Sequence, residues 1–185
     1  MDSYYSEDEL SMLGFKSFGQ NVRISRKASI YGKENISIGD NVRIDDFCFL
    51  SGQITIGSYV HLSTGAYLYG GHTGIVVEDF VNISSRSCVY AESDDYSGES
   101  LAGALIPDEF KNVIREKVVF QKHALVGSGC TILPGVIVGE GASVGSMSLI
   151  NKSLDPWGVY VGIPCKKMKD RKKRLLDFEK SLLQK

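Results

Sequence analysis

The chain has 185 residues, 43% of them hydrophobic and 23% charged, and a net charge of −1 at pH 7. Length and balance suit one soluble, compact domain with a real core. They exclude a membrane-spanning chain, since no apolar run approaches spanning length, and the start Met-Asp-Ser-Tyr-Tyr lacks a secretory signal, so the expected location is cytoplasmic.

Residues 1–17 read as an N-terminal cap. Ser6 and Glu9 form a capping box at the head of a short helix over Ser6 to Leu13, and acidic residues in its first turn suit the helix dipole. From Phe18 onward a hydrophobic residue recurs at every sixth position: Phe18, Ile24, Ile30, then Ile38, Ile44, Leu50, Ile56, Leu62, Leu68, then Val77, Ile83, Val89, then Phe120 through Val126, Ile132, Val138 and Val144 to Ile150. A period of six fits neither the 3.6 of a helix nor the 2 of a two-sided strand. Four residues after a beat comes a small or β-branched residue: Ala124, Cys130, Val136, Ala142, Ser148. Grouping the beats in threes puts every interruption, after Ile30, Leu68 and Val89, at one corner. That consistency predicts an all-β parallel β-helix of about six coils over residues 18–155.

Gly39, Gly57, Gly127, Gly139 and Gly145 each follow a beat, where a tight corner is expected to need unusual backbone angles. Cys48, Cys88, Cys130 and Cys165 lack CxxC spacing and read as small inert packing residues. Residues 92–117 form one long acidic external loop, of a length that is usually functional or disordered. The last segment, 156–185, carries a basic run from Lys166 to Arg174 and an amphipathic helix over Asp170 to Leu183. Such a run can neutralise a polyphosphate; without interleaved aromatics it does not argue for nucleic acid.

The hexads, the loop before the last coils, Val126-Gly127-Ser128-Gly129-Cys130-Thr131-Ile132-Leu133-Pro134-Gly135-Val136, Val144-Gly145-Ser146-Met147-Ser148 and Val161-Gly162-Ile163-Pro164-Cys165-Lys166 together resemble the hexapeptide-repeat acyltransferases. More narrowly, Tyr5-Ser6-Glu7-Asp8-Glu9-Leu10, Arg43-Ile44-Asp45-Asp46-Phe47 and Ser93-Asp94-Asp95-Tyr96-Ser97-Gly98 look like the dTDP-4-amino-4,6-dideoxy-D-glucose acyltransferase branch. The resemblance implies a left-handed winding, a homotrimer, and acyl-CoA, with acetyl-CoA the expected donor, bound between subunits. It also implies that backbone groups of Gly127, Ser128, Gly145 and Ser146 hold the pantetheine arm. Asn151 and Lys152 match a Thr-Lys pair of the family, and Lys166 and Lys169 stand where members carry phosphate-binding Arg or Lys. The bland reading of Gly127 and Gly145 is that they are turn glycines whether or not CoA binds.

The chain departs from its sugar and xenobiotic relatives in the loop, where their catalytic histidine has no counterpart between Ser93 and Glu99. His72 becomes the first candidate for general base, with Asp94 and Asp95 as competitors that accept a proton or orient an ammonium. His61 and His123 read as ordinary surface residues. The three histidines lack the spacing of a shared zinc site, so no metal is expected. An amine needs a weaker base than a hydroxyl, which favours N-acetylation of a nucleotide-linked amino-dideoxyhexose for O-antigen or surface polysaccharide. O-acetylation of a sugar or small molecule, and a non-catalytic structural subunit, are the alternatives.

Overall fold

The computed structural model describes residues 3–184; Met1, Asp2 and Lys185, the ends of the two expected terminal segments, lie outside the described residues. Short strands pair in parallel with their equivalents one coil away, so the beat residues stack in three columns. The first sheet runs Ser17–Phe18, Ile36–Ile38, Ile54–Ile56, Ile75–Val77, Val118–Phe120 and Ile137–Val138. The second runs from Arg23–Ile24 to Ser143–Val144 and Gly158–Gly162, and the third from Ser29–Tyr31 to Leu149–Ile150. Register puts Ile38 beside Ile56, Ile44 beside Leu62 and Leu50 beside Leu68, all buried. This is the parallel β-helix expected from the hexads, with the left-handed winding that the resemblance implies. Each such Ile, Leu or Val contributes about 1.5–3 kcal/mol by leaving water, and the small residues four after each beat fill the corners.

All three insertions leave the corner between the third and first sheets, as the beat predicts. Six coils are complete, and a partial seventh follows: Leu154 bridges Val138 and Tyr160 pairs with Val144. Leu154 comes four residues after Ile150 rather than six. That shortened corner shifts the phase, which is why the period reads as stopping at Ile150.

The glycines after the beats serve a different need from the one expected. None of Gly39, Gly57, Gly127, Gly139 or Gly145 has a positive φ. A Cβ on Gly39 would sit 2.7 Å from the Gly57 carbonyl carbon, and one on Gly127 2.5 Å from the Ser146 nitrogen. Coil-to-coil approach at these corners leaves no room for a side chain. The left-handed positions fall two residues later and are occupied by Asn41, Tyr59, Met147 and others.

The N-terminal helix, Glu7–Met12, starts from the expected capping box and buries Leu10 against the first coil. Arg26 on that coil donates to both Glu9 carboxylate oxygens, at 2.8 and 2.6 Å. The helix thereby covers a sheet end that would otherwise be open to pairing.

At the other end the expected helix from Asp170 starts only at Leu175 and ends at Leu183. Cys165–Asp170 is a strand antiparallel to Gly158–Gly162, with Val161 opposite Lys166 and Val159 opposite Lys169. Unpaired backbone groups at the sheet edge outweigh the helical pattern there. Arg171 then donates through Nη1 to the carbonyls of His123 (2.9 Å) and Gly141 (3.0 Å), fastening the connection to the stack.

Two outcomes follow from these contacts. Gly39→Ala should lower stability by about 1–3 kcal/mol through overpacking; an unchanged urea midpoint would contradict the close-approach account. Glu9 is held down at about 2 from its ordinary 4.5, first by hydrogen bonds from Arg26. Its stabilising contribution is therefore complete above 4.5 and is lost as pH falls toward 2. Thermal melts carried down through that window should fall less steeply in Glu9→Gln than in the native chain.

Candidate active site

The corner between the second and third sheets carries Gly127-Ser128-Gly129 in one coil and Gly145-Ser146-Met147 in the next. The Gly127 carbonyl turns into the prism, where it accepts from Ser87 Oγ at 2.9 Å. The Gly145 carbonyl does the same, accepting from Ser148 Oγ at 2.7 Å and Cys130 Sγ at 3.3 Å. In a trans peptide the C=O and the following N–H point in opposite directions. Inward carbonyls therefore aim the Ser128 and Ser146 N–H groups outward, one coil apart, about 4.8 Å. Neither N–H has an internal partner among the described residues, whereas the Gly127 and Gly145 N–H groups are spent on Val144 and Tyr160 at 2.8 Å each. Of the four residues expected to hold an extended amide chain, the two serines offer the donors. The two glycines supply the close approach and the inward carbonyls.

Beyond the Gly145 corner the column continues to Val161, whose antiparallel partner is Lys166. Asn151, Lys152, Lys166 and Lys167 line one cavity of about 380 Å³ with Leu154 and Pro164. Lys169 lies outside that lining, and Lys167 is ion-paired with Asp170 at 2.7 Å. Lys152 and Lys166 thus place cationic groups at the end of the donor column, as an anionic tail would require.

The external loop is rooted by Glu92–Ser93 antiparallel to Ile114–Arg115. Glu92 Oε1 accepts from the His72 backbone N–H at 2.8 Å and lies 2.8 Å from His72 Nδ1 and 3.6 Å from Arg115 Nε. Burial pushes the Glu92 carboxyl up, but the His72 hydrogen bonds and the Arg115 charge outweigh it and hold the group below its ordinary value. With Nδ1 engaged, His72 keeps Nε2 for other partners, and its side chain is 83% exposed. Sequence reading counted Glu92 only as one of the loop acids. The readable sign is that Gly71 and Glu92 hold neighbouring corner positions in consecutive coils, so close that a Cβ on Gly71 would strike the Glu92 side chain.

His72 and Asp94 line the same groove, of about 540 Å³, over the stacked rings of Tyr69 and Tyr90, 5.0 Å apart. Burial pushes the Tyr90 hydroxyl up to about 12, which keeps it protonated. Asp94 also lines a second groove with Tyr96, Thr131 and Leu133, on the strand that leaves the Gly127 corner. Asp95 lines neither groove. It accepts from Ser97 N and Oγ at 2.8 Å each and from Ser100 Oγ at 3.0 Å, and these bonds, led by the Ser97 backbone, hold its carboxyl low. The structure brings His72 and Asp94 together and commits Asp95 to its own loop.

His123 is buried rather than on the surface. It stacks on Phe80 (5.1 Å) beside Trp157 and lies 2.9 Å from Glu179 on the C-terminal helix. His61 is half-buried, with Nε2 2.8 Å from the buried Asp45 carboxylate, which also accepts from Arg43 at 2.6 Å. Burial pushes the Cys48 thiol up to about 11 and raises Cys130 and Cys165 as well, which leaves these thiols unreactive. Among the described residues, no group of three or more His, Cys, Asp or Glu could hold a metal ion.

No family model matches the chain. It is 42% identical over 180 residues to dTDP-4-amino-4,6-dideoxy-D-glucose acyltransferase of Escherichia coli, covering 96% of this chain and 93% of that protein. It is 29% identical to the putative lipopolysaccharide biosynthesis O-acetyl transferase WbbJ of E. coli K12, over 82% and 81%. Among solved structures it superposes on the D94A mutant of AntD, an N-acyltransferase from Bacillus cereus, with a TM-score of 0.98 and 52% identity over 100% of this chain and 99% of the other, in a complex with dTDP and coenzyme A. AntD variants have also been crystallised with dTDP-4-amino-4,6-dideoxyglucose and coenzyme A, and AntD itself with 3-hydroxybutyryl-CoA. A maltose O-acetyltransferase from Clostridium difficile, at 18% identity and TM-score 0.60, shares the fold.

Because Asp95 fastens the loop, Asp95→Ala should speed cleavage within residues 92–117 in limited proteolysis. An unchanged cleavage rate would contradict that role.

Proposed function

Because the chain belongs to the hexapeptide-repeat acyltransferases, among the N-acyltransferases of dTDP-linked amino sugars, we propose that it acylates the amine of a nucleotide-linked amino-dideoxyhexose, with acetyl-CoA as donor, in surface polysaccharide synthesis. The acyl-CoA-dependent transferase activity follows from the family. The finer reading is carried by the full-length likeness to AntD, whose variants were crystallised with coenzyme A and dTDP-4-amino-4,6-dideoxyglucose. The cytoplasm, where acyl-CoA and nucleotide sugars are made, is the proposed site of action.

In this reading the pantetheine arm lies along the outward N–H groups of Ser128 and Ser146, and the coenzyme phosphates reach Lys152 and Lys166. Asp94 orients the acceptor ammonium, and His72, backed by Glu92, takes its proton at Nε2. The neutral amine attacks the thioester carbonyl, the N–C bond forms, the C–S bond breaks, and CoA leaves as a thiolate that takes up the second proton shed by the new amide nitrogen. A groove N–H facing the developing oxyanion is worth about 2.7–4 kcal/mol. Positioning of the two reactants supplies much of the remaining acceleration.

A homotrimer accompanies this proposal. The loop leaves Leu105 97% and Tyr96 93% exposed, and the C-terminal helix leaves Phe178 64% exposed. A neighbouring subunit would cover such side chains. Sedimentation equilibrium should return three chains per particle; a monomer would contradict the shared cleft.

Thiol release from acetyl-CoA, measured against panels of amino and hydroxyl sugars, tests the reaction. Turnover is expected with the dTDP-linked amine. His72→Gln and Asp94→Asn should each lower kcat/KM by about 10- to 100-fold. Turnover with hydroxyl acceptors alone would favour O-acetylation, the activity named for WbbJ, and no turnover with any acceptor would leave a structural subunit.

A further inference from the structure

At several corners of the stack the turn closes on itself with a main-chain bond. Ala28 N donates to Ser25 O and Ala66 N to Ser63 O, at 3.0 Å each, on the same corner as Ser128; Ala124 N and Ala142 N do likewise at the neighbouring corner. The Gly127 turn is built differently. The buried Ser87, from the coil below, donates through Oγ to Gly127 O at 2.9 Å and accepts from Cys130 N at 3.3 Å. Its hydroxyl bridges the Gly127 carbonyl and the Cys130 N–H, the pair whose equivalents bond each other directly in the Ala28 and Ala66 turns. At Gly145 the buried Ser148 hydroxyl donates to the corner carbonyl at 2.7 Å and accepts from Gly162 N at 3.1 Å.

Stacking alone does not call for these hydroxyls. Ala66 occupies the position of Ser87 one coil earlier and is fully buried, and the equivalent inward residues of the neighbouring corner are Val22, Val42, Val60, Val81, Ala124 and Ala142. Buried hydroxyls occur in this column only against the carbonyls of Gly127 and Gly145, whose peptides carry the outward Ser128 and Ser146 N–H groups. A hydroxyl bonded to the inward carbonyl fixes the peptide plane and polarises its N–H.

We infer that Ser87 and Ser148 are positioning residues for the acyl donor: from inside the prism they aim the Ser128 and Ser146 N–H groups at the thioester arm, without touching it. The inference rests on the acyl-CoA reading of this corner. Removing the Ser87 hydroxyl lets the turn close as it does at Ala66, which rotates the Gly127–Ser128 peptide and moves its N–H off the donor.

Steady-state kinetics with acetyl-CoA and the dTDP-linked amine tests this. Ser87→Ala should raise the KM for acetyl-CoA about tenfold and leave the amine KM within about twofold. Ser87→Cys should recover most of the loss, since Cys48 and Cys130 already donate to corner carbonyls from this column. Ser148→Ala should repeat the effect, and Cys48→Ala, several coils away along the column and bonded to Ser63 rather than Gly127 or Gly145, should not. Folded Ser87→Ala with native KM for acetyl-CoA, or with both KM values raised alike, would overturn the inference. Should Ser87→Ala fail to fold, Ser148→Ala decides in the same way. Calorimetric titration with CoA separates the two readings: a native chain that binds no CoA removes the acyl-CoA reading and this inference together, whereas equal binding by native and Ser87→Ala chains removes the inference alone.

Discussion

Parallel coils must approach to the spacing of a β-sheet at their corners as well as along their strands, and the rest of the molecule follows from that. At Gly39, Gly127 and Gly145 the approach leaves no space for a Cβ. Where the chain turns so tightly, each peptide has one group facing the prism and one facing solvent. The inward carbonyls of Gly127 and Gly145 are satisfied by Ser87, Cys130 and Ser148, so the outward N–H groups become a short rail of donors. In the proposed reading a binding surface is thus a by-product of packing, selected at one corner by which small residues line the inside.

Chemistry and stacking occupy different corners. Every insertion leaves between the third and first sheets, so the loop bearing Asp94, and the short excursion bearing His72, change nothing in the coils above and below. The donor rail lies at the corner between the second and third sheets, with the third sheet between it and the loop. Asp94 spans part of that distance by lying against Thr131 and Leu133. In the proposed trimer a neighbouring loop would close the rest, and the exposed Tyr96 and Leu105 would be covered in the same step.

The six-residue beat made the three columns and the common corner of the insertions readable from sequence, because burial of one residue per strand repeats without regard to long-range detail; the helical cap was readable from the Ser6 and Glu9 capping box instead. The seventh turn was not readable: dropping two residues after Ile150 shifts the phase, and Leu154 and Tyr160 then look like noise. Cys165–Asp170 carries the charge pattern of a solvated helix, and only the open edge at Gly158–Gly162 makes it a strand. Partnerships between side chains in separate coils left no local trace. Glu92 meets His72 across 20 residues, Ser87 meets Gly127 across 40, and Glu179 meets the buried His123 across 56. The acids of the loop could be listed but not sorted, since Asp94 and Asp95 differ only in which way the backbone turns them.

The direct test of the donor rail is an amide-resolved NMR titration of the native chain with coenzyme A. The account predicts that the Ser128 and Ser146 amide signals move downfield together as they gain an acceptor, while the amides of Asn41 and Trp157, on the neighbouring corner, stay in place. Shifts confined to that neighbouring corner, or saturation of the coenzyme with Ser128 and Ser146 unmoved, would contradict it.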